Sequence, residues 1–116
     1  MKLKEIMNGI LFEKTYGDLD LDISGLQYDS RKVGKGDMFF CVDGFKEDGH
    51  KYIKSAIEKG ATVIICSKEP EEELLKHNIT FIKISDTRKT MAMCASNFYN
   101  NFQRFYENPN DLVLDL

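Results

Sequence analysis

The chain has 116 residues, a formal net charge of −3, 42% hydrophobic residues and 30% charged residues. This length allows one buried core, and the composition is that of an ordinary globular domain. The slight negative charge argues against a nucleic-acid partner, which favours a basic face. The sequence has no apolar run suited to a membrane span, and its start lacks a signal-peptide core. We therefore expect a cytoplasmic domain with no nucleic-acid and no membrane partner.

The first third of the chain predicts one helix and several strand-like segments. Lys2 to Phe12 carries apolar residues at helical spacing and predicts an amphipathic helix. Leu19 to Ile23 alternates apolar and acidic residues, as a half-buried strand does. Gly25 to Asp29 is expected to continue as a strand or a bend. Asp37 to Val42 is a compact apolar run and predicts a central strand.

The second half of the chain alternates helices and strands. In order, it predicts a helix (His50 to Lys59), a strand buried on both faces (Ala61 to Cys66), a short acidic helix (Glu69 to His77), a strand (Ile79 to Ile84) and a helix opened by Ser85 and Asp86. Asp48 is placed to cap the first of these helices and Gly60 to end it. The last helix is expected to bury Met91, Ala95, Phe98, Tyr99 and Phe102. This alternation favours an α/β fold with a mixed, partly parallel sheet flanked by helices.

The cysteines and histidines give no sign of a metal site. Cys41 and Cys66 lie in apolar strand patterns and Cys94 lies on a helix, so all three are expected to be small buried side chains. His50 and His77 are far apart, and neither has another ligand at zinc-binding spacing. We expect no metal site.

The sequence features of a catalytic centre are also missing. A P-loop needs glycines at fixed positions ahead of a Lys-Ser or Lys-Thr pair, and Lys89-Thr90 has no glycine upstream, while Gly34-Lys35 is followed by Gly36. No Ser, His and Asp arrangement suggests an activated nucleophile. We predict no catalytic residue and no cofactor in this chain.

The segment from Tyr28 to His50 carries the strongest functional signal. It contains a polar turn (Asp29-Ser30-Arg31), a basic glycine loop (Gly34 to Asp37), an apolar strand and a second glycine loop (Gly44 to Gly49). Two donor-rich loops at opposite ends of one short strand suit the recognition of a small polar anion. The pattern predicts binding, and it contains none of the groups that a chemical step needs.

These motifs together resemble the N-terminal domain of the Mur ligases of peptidoglycan synthesis. The order is D-S-R, then G-D-x-F at Gly36 to Phe39, then G-x-x-x-D-G-H at Gly44 to His50, then an amphipathic helix that ends at Gly60-Ala61. The resemblance runs from about Ile23 to Tyr99 and is strongest to the ligases that add the third amino acid to UDP-N-acetylmuramoyl-dipeptide. It implies the mixed α/β fold of that domain.

The resemblance gives roles to Ser30 of the polar turn and to Tyr28 just before it. It implies that Ser30 contacts the UDP part of the nucleotide precursor and that Tyr28 lines the uracil pocket. A serine hydroxyl can both donate and accept a hydrogen bond. Arg31 is a candidate for a forked contact with the diphosphate. The alternative is an ordinary turn, in which Asp29 or Ser30 caps a backbone N–H and Arg31 pairs with an acidic neighbour such as Asp37.

The second glycine loop supplies the other expected contacts. The resemblance carries a uracil-contacting triplet onto Phe45, Lys46 and Glu47, with backbone groups reading the base and Phe45 placed to stack on it. The alternative is a plain strand-to-helix connection in which glycines supply positive φ. Asp48 is expected to cap the next helix and not to touch a ligand.

The resemblance implies a substrate-recognition domain that binds the UDP moiety of UDP-N-acetylmuramoyl-dipeptide. Residues 1–100 would form this domain, and 101–116 a linker or the start of an ATPase domain. ATP and Mg²⁺ would then act in the parent enzyme, whose central and C-terminal domains would be further partners of this chain. By this reasoning the chain does not turn over alone.

Two other interpretations remain open. The first is the related ligase that adds D-Ala-D-Ala, whose first domain shares the D-S-R and G-D-x-F pattern. The second is a naturally truncated interaction protein without a nucleotide ligand. The triplet before Asp48-Gly49 and the affinity for UDP alone would separate the two ligases, and the sequence beyond Leu116 would show whether an ATP-binding domain follows.

Overall fold

A computed structural model describes residues 1–42 and 48–107, with side chains described only as far as residue 100. Its centre is a five-stranded sheet with the order β1-β5-β4-β3-β2. The strands are β1 (Lys14–Tyr16), β2 (Leu26–Gln27), β3 (Met38–Phe40), β4 (Val63–Cys66) and β5 (Thr80–Lys83). The edge strand β1 is antiparallel to β5, and the other neighbours are parallel. The predicted mixed, partly parallel α/β architecture is therefore confirmed.

Helices cover both faces of the sheet. They are α1 (Leu3–Ile6), α2 (Ile53–Glu58), α3 (Glu72–Leu75) and α4 (Thr87–Glu107), with 3₁₀ helices at Ser30–Lys32 and Gly49–Tyr52. Asp48 accepts a hydrogen bond from the backbone N–H of His50, and Gly60 follows α2 with a φ of +114°. The predicted cap and stop are both confirmed, because each depends only on neighbouring residues.

The core forms two layers because successive strand residues point to opposite faces. Phe40 and its neighbours on β4 and β5, Ile65 and Ile82, pack with α1 and with Cys94 of α4. Phe39 packs on the other face with the apolar side of α2. Strand β4 is buried at all four positions, as expected for a strand covered on both sides.

The N-terminal segment differs from the sequence prediction. The helix ends at Ile6 instead of near Phe12, and Gly9 turns the chain with a φ of +81°. Leu11 is 94% exposed, although its spacing placed it on the apolar face. The expected strand at Leu19 to Ile23 is absent from this described segment, apart from a single bridge between Lys2 and Asp22.

Strand β1 forms earlier in the chain because Lys14–Tyr16 finds a partner on β5. Lys83 of β5 donates to Glu13 at 2.7 Å next to this pairing. Around residue 19, by contrast, Asp18 accepts a hydrogen bond from the backbone of Asp20 at 2.8 Å, which forms a local turn. The alternation of apolar and acidic residues at Leu19 to Ile23 therefore predicted a strand at the wrong place in the chain.

The inward face of α4 also differs from the prediction. Met91 and Phe98 pack on the core, but the buried position between them is Cys94, and Tyr99 is 57% exposed. Asn97 donates from Nδ2 to the carbonyls of Ile6 at 2.7 Å and Asn8 at 3.0 Å, which ties α4 to the end of α1.

The predicted position of Phe102 lies outside the described side chains. Helix α4 continues through residue 107. The predicted boundary between a domain at residues 1–100 and a linker at residues 101–116 stays a prediction.

Candidate functional site

A cavity of about 360 Å³ opens where β2 ends. Its wall is formed by Tyr28, Asp29, Ser30, Arg31 and Tyr52. Three of the residues singled out from the sequence, Tyr28, Ser30 and Arg31, are thus brought together at one place. Tyr52 was missed because it lies 22 positions after Ser30 in the chain. Its place in the turn capped by Asp48 was the signal that could have pointed to it.

The polar turn is a 3₁₀ helix held by its own carboxylate. Asp29 caps it by accepting from the backbone N–H of Arg31 at 3.0 Å. The Arg31 guanidinium donates to the same carboxylate through Nε at 3.0 Å and Nη2 at 2.9 Å. These hydrogen bonds lower the pKa of Asp29 from 3.8 to about 2. Ser30, between them, is buried, whereas the side chain of Arg31 is 84% exposed.

The ordinary-turn interpretation is therefore correct for the local geometry, with one change of partner. Arg31 pairs with Asp29 and not with Asp37. The carboxylate of Asp37 is buried and instead accepts from the backbone N–H of Gly34 at 2.8 Å. A local cap and a cavity wall are compatible, because Asp29 and Arg31 form the capped turn and also line the cavity.

The loop from Gly34 to Asp37 does not belong to this cavity. It leads into the amino end of β3, whereas Tyr28 to Ser30 follow the carboxyl end of β2, and the two strands are parallel. Its donors are used within the fold, since Gly36 N–H donates to Gly60 O at 2.8 Å. A Cβ on Gly60 would lie 2.6 Å from Lys35 Cα, so the two loops are closely packed. The Gly34 loop is thus separate from the cavity after β2, and the expectation that both glycine loops bind one anion stays a prediction, because residues 43–47 lie outside the described residues.

Strand β3, which precedes the second glycine loop in the chain, is parallel to β2, so it ends at the same edge of the sheet as Tyr28 to Ser30. Phe45, Lys46 and Glu47 lie outside the described residues. The described residues on either side of this segment are joined by a hydrogen bond, in which Gly49 N–H donates to Val42 O at 3.1 Å.

His50, just after this loop, connects two neighbouring segments at the carboxyl edge. Its Nδ1 lies 2.6 Å from Asp48 Oδ1, and its Nε2 accepts from the backbone N–H of Ser67 at 3.0 Å. Lys68 Nζ donates to the other carboxylate oxygen of Asp48. The motif that ends in His50 gave no sign of this contact, because Ser67 lies 17 positions further along the chain.

Within residues 1–42 and 48–107, no group of three or more His, Cys, Asp or Glu side chains is arranged to hold a metal ion. The same part of the chain contains no helix with the length and apolar character needed to cross a membrane.

The comparisons with known proteins identify the family. A family profile described as "Mur ligase family, catalytic domain" matches residues 22–99. The match covers more than half of the chain, so the chain belongs to the Mur ligase family.

The relatives by sequence indicate a branch of that family. The chain is 52% identical over 101 residues to the UDP-N-acetylmuramoyl-L-alanyl-D-glutamate–2,6-diaminopimelate ligase of Clostridioides difficile, and 48% identical over 101 residues to that of Clostridium tetani. Each match covers 87% of this chain but only 20% and 21% of the relative. The chain thus resembles the tripeptide-forming ligases, MurE, and spans about a fifth of their length.

Solved structures support the fold. A crystal structure of MurF from Acinetobacter baumannii matches with a TM-score of 0.70 and 18% identity, over 90% of this chain and 22% of that one. MurF from Thermotoga maritima, described as a complex with ADP, matches with a TM-score of 0.54 and 26% identity, over 66% of this chain and 17% of the other. The predicted likeness to a Mur ligase N-terminal domain is confirmed at the level of fold.

Proposed function

We propose that this chain is the domain that recognises the UDP moiety of UDP-N-acetylmuramoyl-dipeptide in a ligase that adds 2,6-diaminopimelate. The observation that carries the proposal is the cavity after β2, which gathers Tyr28, Ser30, Arg31 and Tyr52. The substrate and the amino acid are those in the names of the relatives with 48% and 52% identity.

The cavity offers chemistry that suits a pyrimidine nucleotide. Tyr28 and Tyr52 supply aromatic surface for a base. Ser30 presents a hydroxyl, which can donate to a sugar or phosphate oxygen. Arg31 spends two of its five N–H groups on Asp29, and the others remain available for a diphosphate. The acidic partner fixes the guanidinium beside the cavity. Phe45, Lys46 and Glu47 remain the proposed uracil-reading triplet.

The share of this domain in the reaction is to position the substrate. Contacts to the nucleotide, which does not react, hold the distant dipeptide carboxylate in place for chemistry elsewhere. In the proposed parent enzyme, ATP and Mg²⁺ activate that carboxylate and an amine then attacks it. Those steps belong to the proposed central and C-terminal domains, which would be the partners of this chain.

The D-Ala-D-Ala-adding ligase is the closest competing assignment, because the solved relatives above are MurF proteins. Their identity of 18% to 26% is far below that of the diaminopimelate ligases. The sequence relationship therefore favours the tripeptide-forming branch. A truncated interaction protein is distinguished from both by the absence of uridine nucleotide binding.

A titration of the ¹⁵N-labelled chain with UDP tests the proposal directly. We expect the amide signals of Tyr28, Ser30 and Tyr52 to shift in a saturable way, together with those of residues 45–47. CDP should bind more weakly, because cytosine changes the hydrogen-bonding edge of the base.

A pair of variants makes this test specific. Ser30→Ala should weaken UDP binding about two- to tenfold, the cost of one hydrogen bond. Ser85→Ala is the matched control, since Ser85 is exposed and lies outside this cavity. Signals that do not move with UDP, or equal affinities for the two variants and the unmodified chain, would contradict the proposal.

A further inference from the structure

His50 connects the turn after the second glycine loop to the chain after β4. Its backbone N–H donates to Asp48 Oδ1 at 2.9 Å, and its ring Nδ1 lies 2.6 Å from the same oxygen. Its Nε2 accepts from Ser67 N–H at 3.0 Å. The side chain is only 12% exposed, so these partners account for both ring nitrogens.

The positions of Asp48 and Ser67 determine which ring nitrogen of His50 carries the proton. A backbone N–H can only donate, so the Nε2 that faces Ser67 must be the unprotonated acceptor. The neutral ring then carries its proton on Nδ1 and donates to Asp48. Protonation of Nε2 would set two donors against each other and leave Ser67 N–H without its acceptor. The contact with Ser67 therefore exists only while His50 is neutral.

Charges of both signs surround the ring. Asp48 and Lys68, which donates to Asp48, are the charged groups next to it. A groove of about 520 Å³ beside His50 is bordered by further charged or titratable groups on α2, on α3 and next to them: Lys51, Lys54, Glu71, Glu73, Lys76 and His77. The inference therefore rests on the hydrogen bond from Ser67 N–H, which needs an unprotonated Nε2.

The turn that His50 anchors also forms a wall of the candidate cavity. His50 and Tyr52 lie on the same four-residue 3₁₀ helix, and Tyr52 lines the cavity with Tyr28 and Ser30. The start of this helix has little freedom, because a Cβ on Gly49 would lie 2.6 Å from Val42 N. A shift of His50 is thus transmitted to Tyr52 through a short, hydrogen-bonded turn.

We propose that His50 is a positioning residue for nucleotide binding: its neutral imidazole holds the Gly49–Tyr52 turn against Ser67 and so keeps Tyr52 at the cavity wall. The ligand in this inference rests on the proposed function above. Nucleotide affinity then depends on the protonation of a residue that is not itself in the cavity wall.

Binding of UDP-N-acetylglucosamine over a pH series tests the proposal. This probe is used because the terminal phosphate of UDP titrates near pH 6, as phosphate monoesters do, whereas the diphosphate of the sugar nucleotide is a diester. Affinity should fall at least about fivefold between about pH 8 and about pH 5, the interval in which histidines change charge. Asp29, with its pKa lowered to about 2, stays ionised throughout.

Two substitutions of His50 separate positioning from general stability. His50→Gln places a carbonyl oxygen near the position of Nε2, so it should keep most of the affinity at pH 8 and bind independently of pH. His50→Phe keeps the ring but removes both hydrogen bonds, so its affinity should be low at every pH. His77→Gln is the control, because His77 is exposed, and its pH profile should match that of the unmodified chain.

The outcomes are distinguishable from a failure of the proposed function. Affinity of His50→Phe equal to that of the unmodified chain, or a steep pH profile in His50→Gln, overturns the inference. If the unmodified chain does not bind the probe at all, the proposed function fails. The amide signals of the ligand-free chain then decide: Ser67 and Tyr52 must shift together as His50 is protonated, and an unchanged Tyr52 refutes the positioning role. Thermal unfolding of each variant shows whether it is folded.

Discussion

Arg31 reaches back two residues and donates to both carboxylate oxygens of Asp29, at 3.0 and 2.9 Å, beside a cavity that both residues line. The pair has a local purpose, since it closes the 3₁₀ turn, and it also fixes the direction of a guanidinium. The same contact therefore serves the fold and orients a cationic group beside the cavity. The effect of this contact on the stability of the turn and its effect on the direction of the guanidinium can be measured separately.

The first prediction concerns the carboxyl group of Asp29. Arg31→Ala should raise its pKa from about 2 part of the way toward 3.8, because the side-chain hydrogen bond from Arg31 is the largest cause of the lowered value, while the backbone N–H of residue 31 still donates to Asp29. A lowered pKa in the folded chain means that the contact stabilises the fold above about pH 4 and that this contribution is lost as the pH falls toward 2. A ¹³C NMR titration of the carboxyl groups measures the shift.

Lys32→Ala is the matched control for this titration. Lys32 is also exposed and cationic, but its effect on Asp29 is the smallest of the causes. The pKa of Asp29 should therefore stay near 2 in this variant. An Asp29 pKa that is the same in Arg31→Ala and in the unmodified chain would show that the forked contact does not persist in solution.

The second prediction concerns the aromatic wall of the cavity. Tyr28 is 67% exposed and lines the cavity, so its ring is accessible to a base. Tyr28→Ala should weaken UDP binding about five- to 150-fold, because stacking of an aromatic ring on a base contributes about 1–3 kcal/mol. Tyr28→Phe should retain most of the affinity, and calorimetric titration gives both values.

Tyr99→Ala provides the comparison, because Tyr99 is similarly exposed at 57% and lies on α4. Its UDP affinity should equal that of the unmodified chain. If Tyr28→Ala and Tyr99→Ala behave alike, Tyr28 is not a wall of the nucleotide site.

The third prediction concerns the closing of the second glycine loop. Gly49→Ala places a Cβ 2.6 Å from Val42 N and 2.8 Å from Val42 O, and backbone atoms at that distance must move. We expect a loss of about 1–3 kcal/mol in the free energy of unfolding, the usual cost of overpacking. Urea denaturation followed by circular dichroism measures it.

Gly34→Ala is the corresponding control at the other edge of the sheet. A Cβ there would lie 3.8 Å from Asp37 Oδ2, which is an ordinary contact. Its free energy of unfolding should change by less than about 1 kcal/mol. Equal destabilisation by the two substitutions would contradict the close approach of Gly49 to Val42.

The fourth prediction concerns the cysteines, which are buried as the sequence indicated. Burial raises the pKa of Cys66 to about 11 and that of Cys94 to about 12. Because the thiolate is the reactive form, labelling by a disulfide reagent at neutral pH should be slow in the folded chain and complete after unfolding. Rapid labelling of either residue under native conditions would reveal local opening of α4 or of β4.

The sequence predicted those elements whose signals lie close together in the chain. Strand β4, the cap at Asp48 and the stop at Gly60 each depend on a few consecutive residues, and all three are confirmed. Two failures show the opposite case. Leu11 has the spacing of a helix face but is 94% exposed, because the helix ends at Ile6. Leu21 and Ile23 do pack on the core, but their segment pairs with no strand and makes only the single bridge between Lys2 and Asp22.

The residues of the candidate site were likewise predictable only where the signal lies in neighbouring positions of the chain. The local turn at Asp29 and the membership of Tyr28 and Ser30 in one site were accessible from motifs, and the structure joins them in one cavity. Tyr52 and His50 were not accessible, because their importance comes from contacts with residues that are distant in the chain.

The family resemblance, the α/β class and the positions of caps, stops and buried strands could be predicted from the sequence, because periodicity and turn chemistry are properties of neighbouring residues. Which segments meet at one edge of the sheet depended on the pairing of the strands. Parallel pairing of β2 with β3 puts the Ser30 turn at the edge where β3 ends, and the Gly34 loop at the other edge. Parallel pairing of β3 with β4 brings Ser67 N–H to His50 across 17 positions, a contact that no spacing rule contains because it depends on how separate strands align.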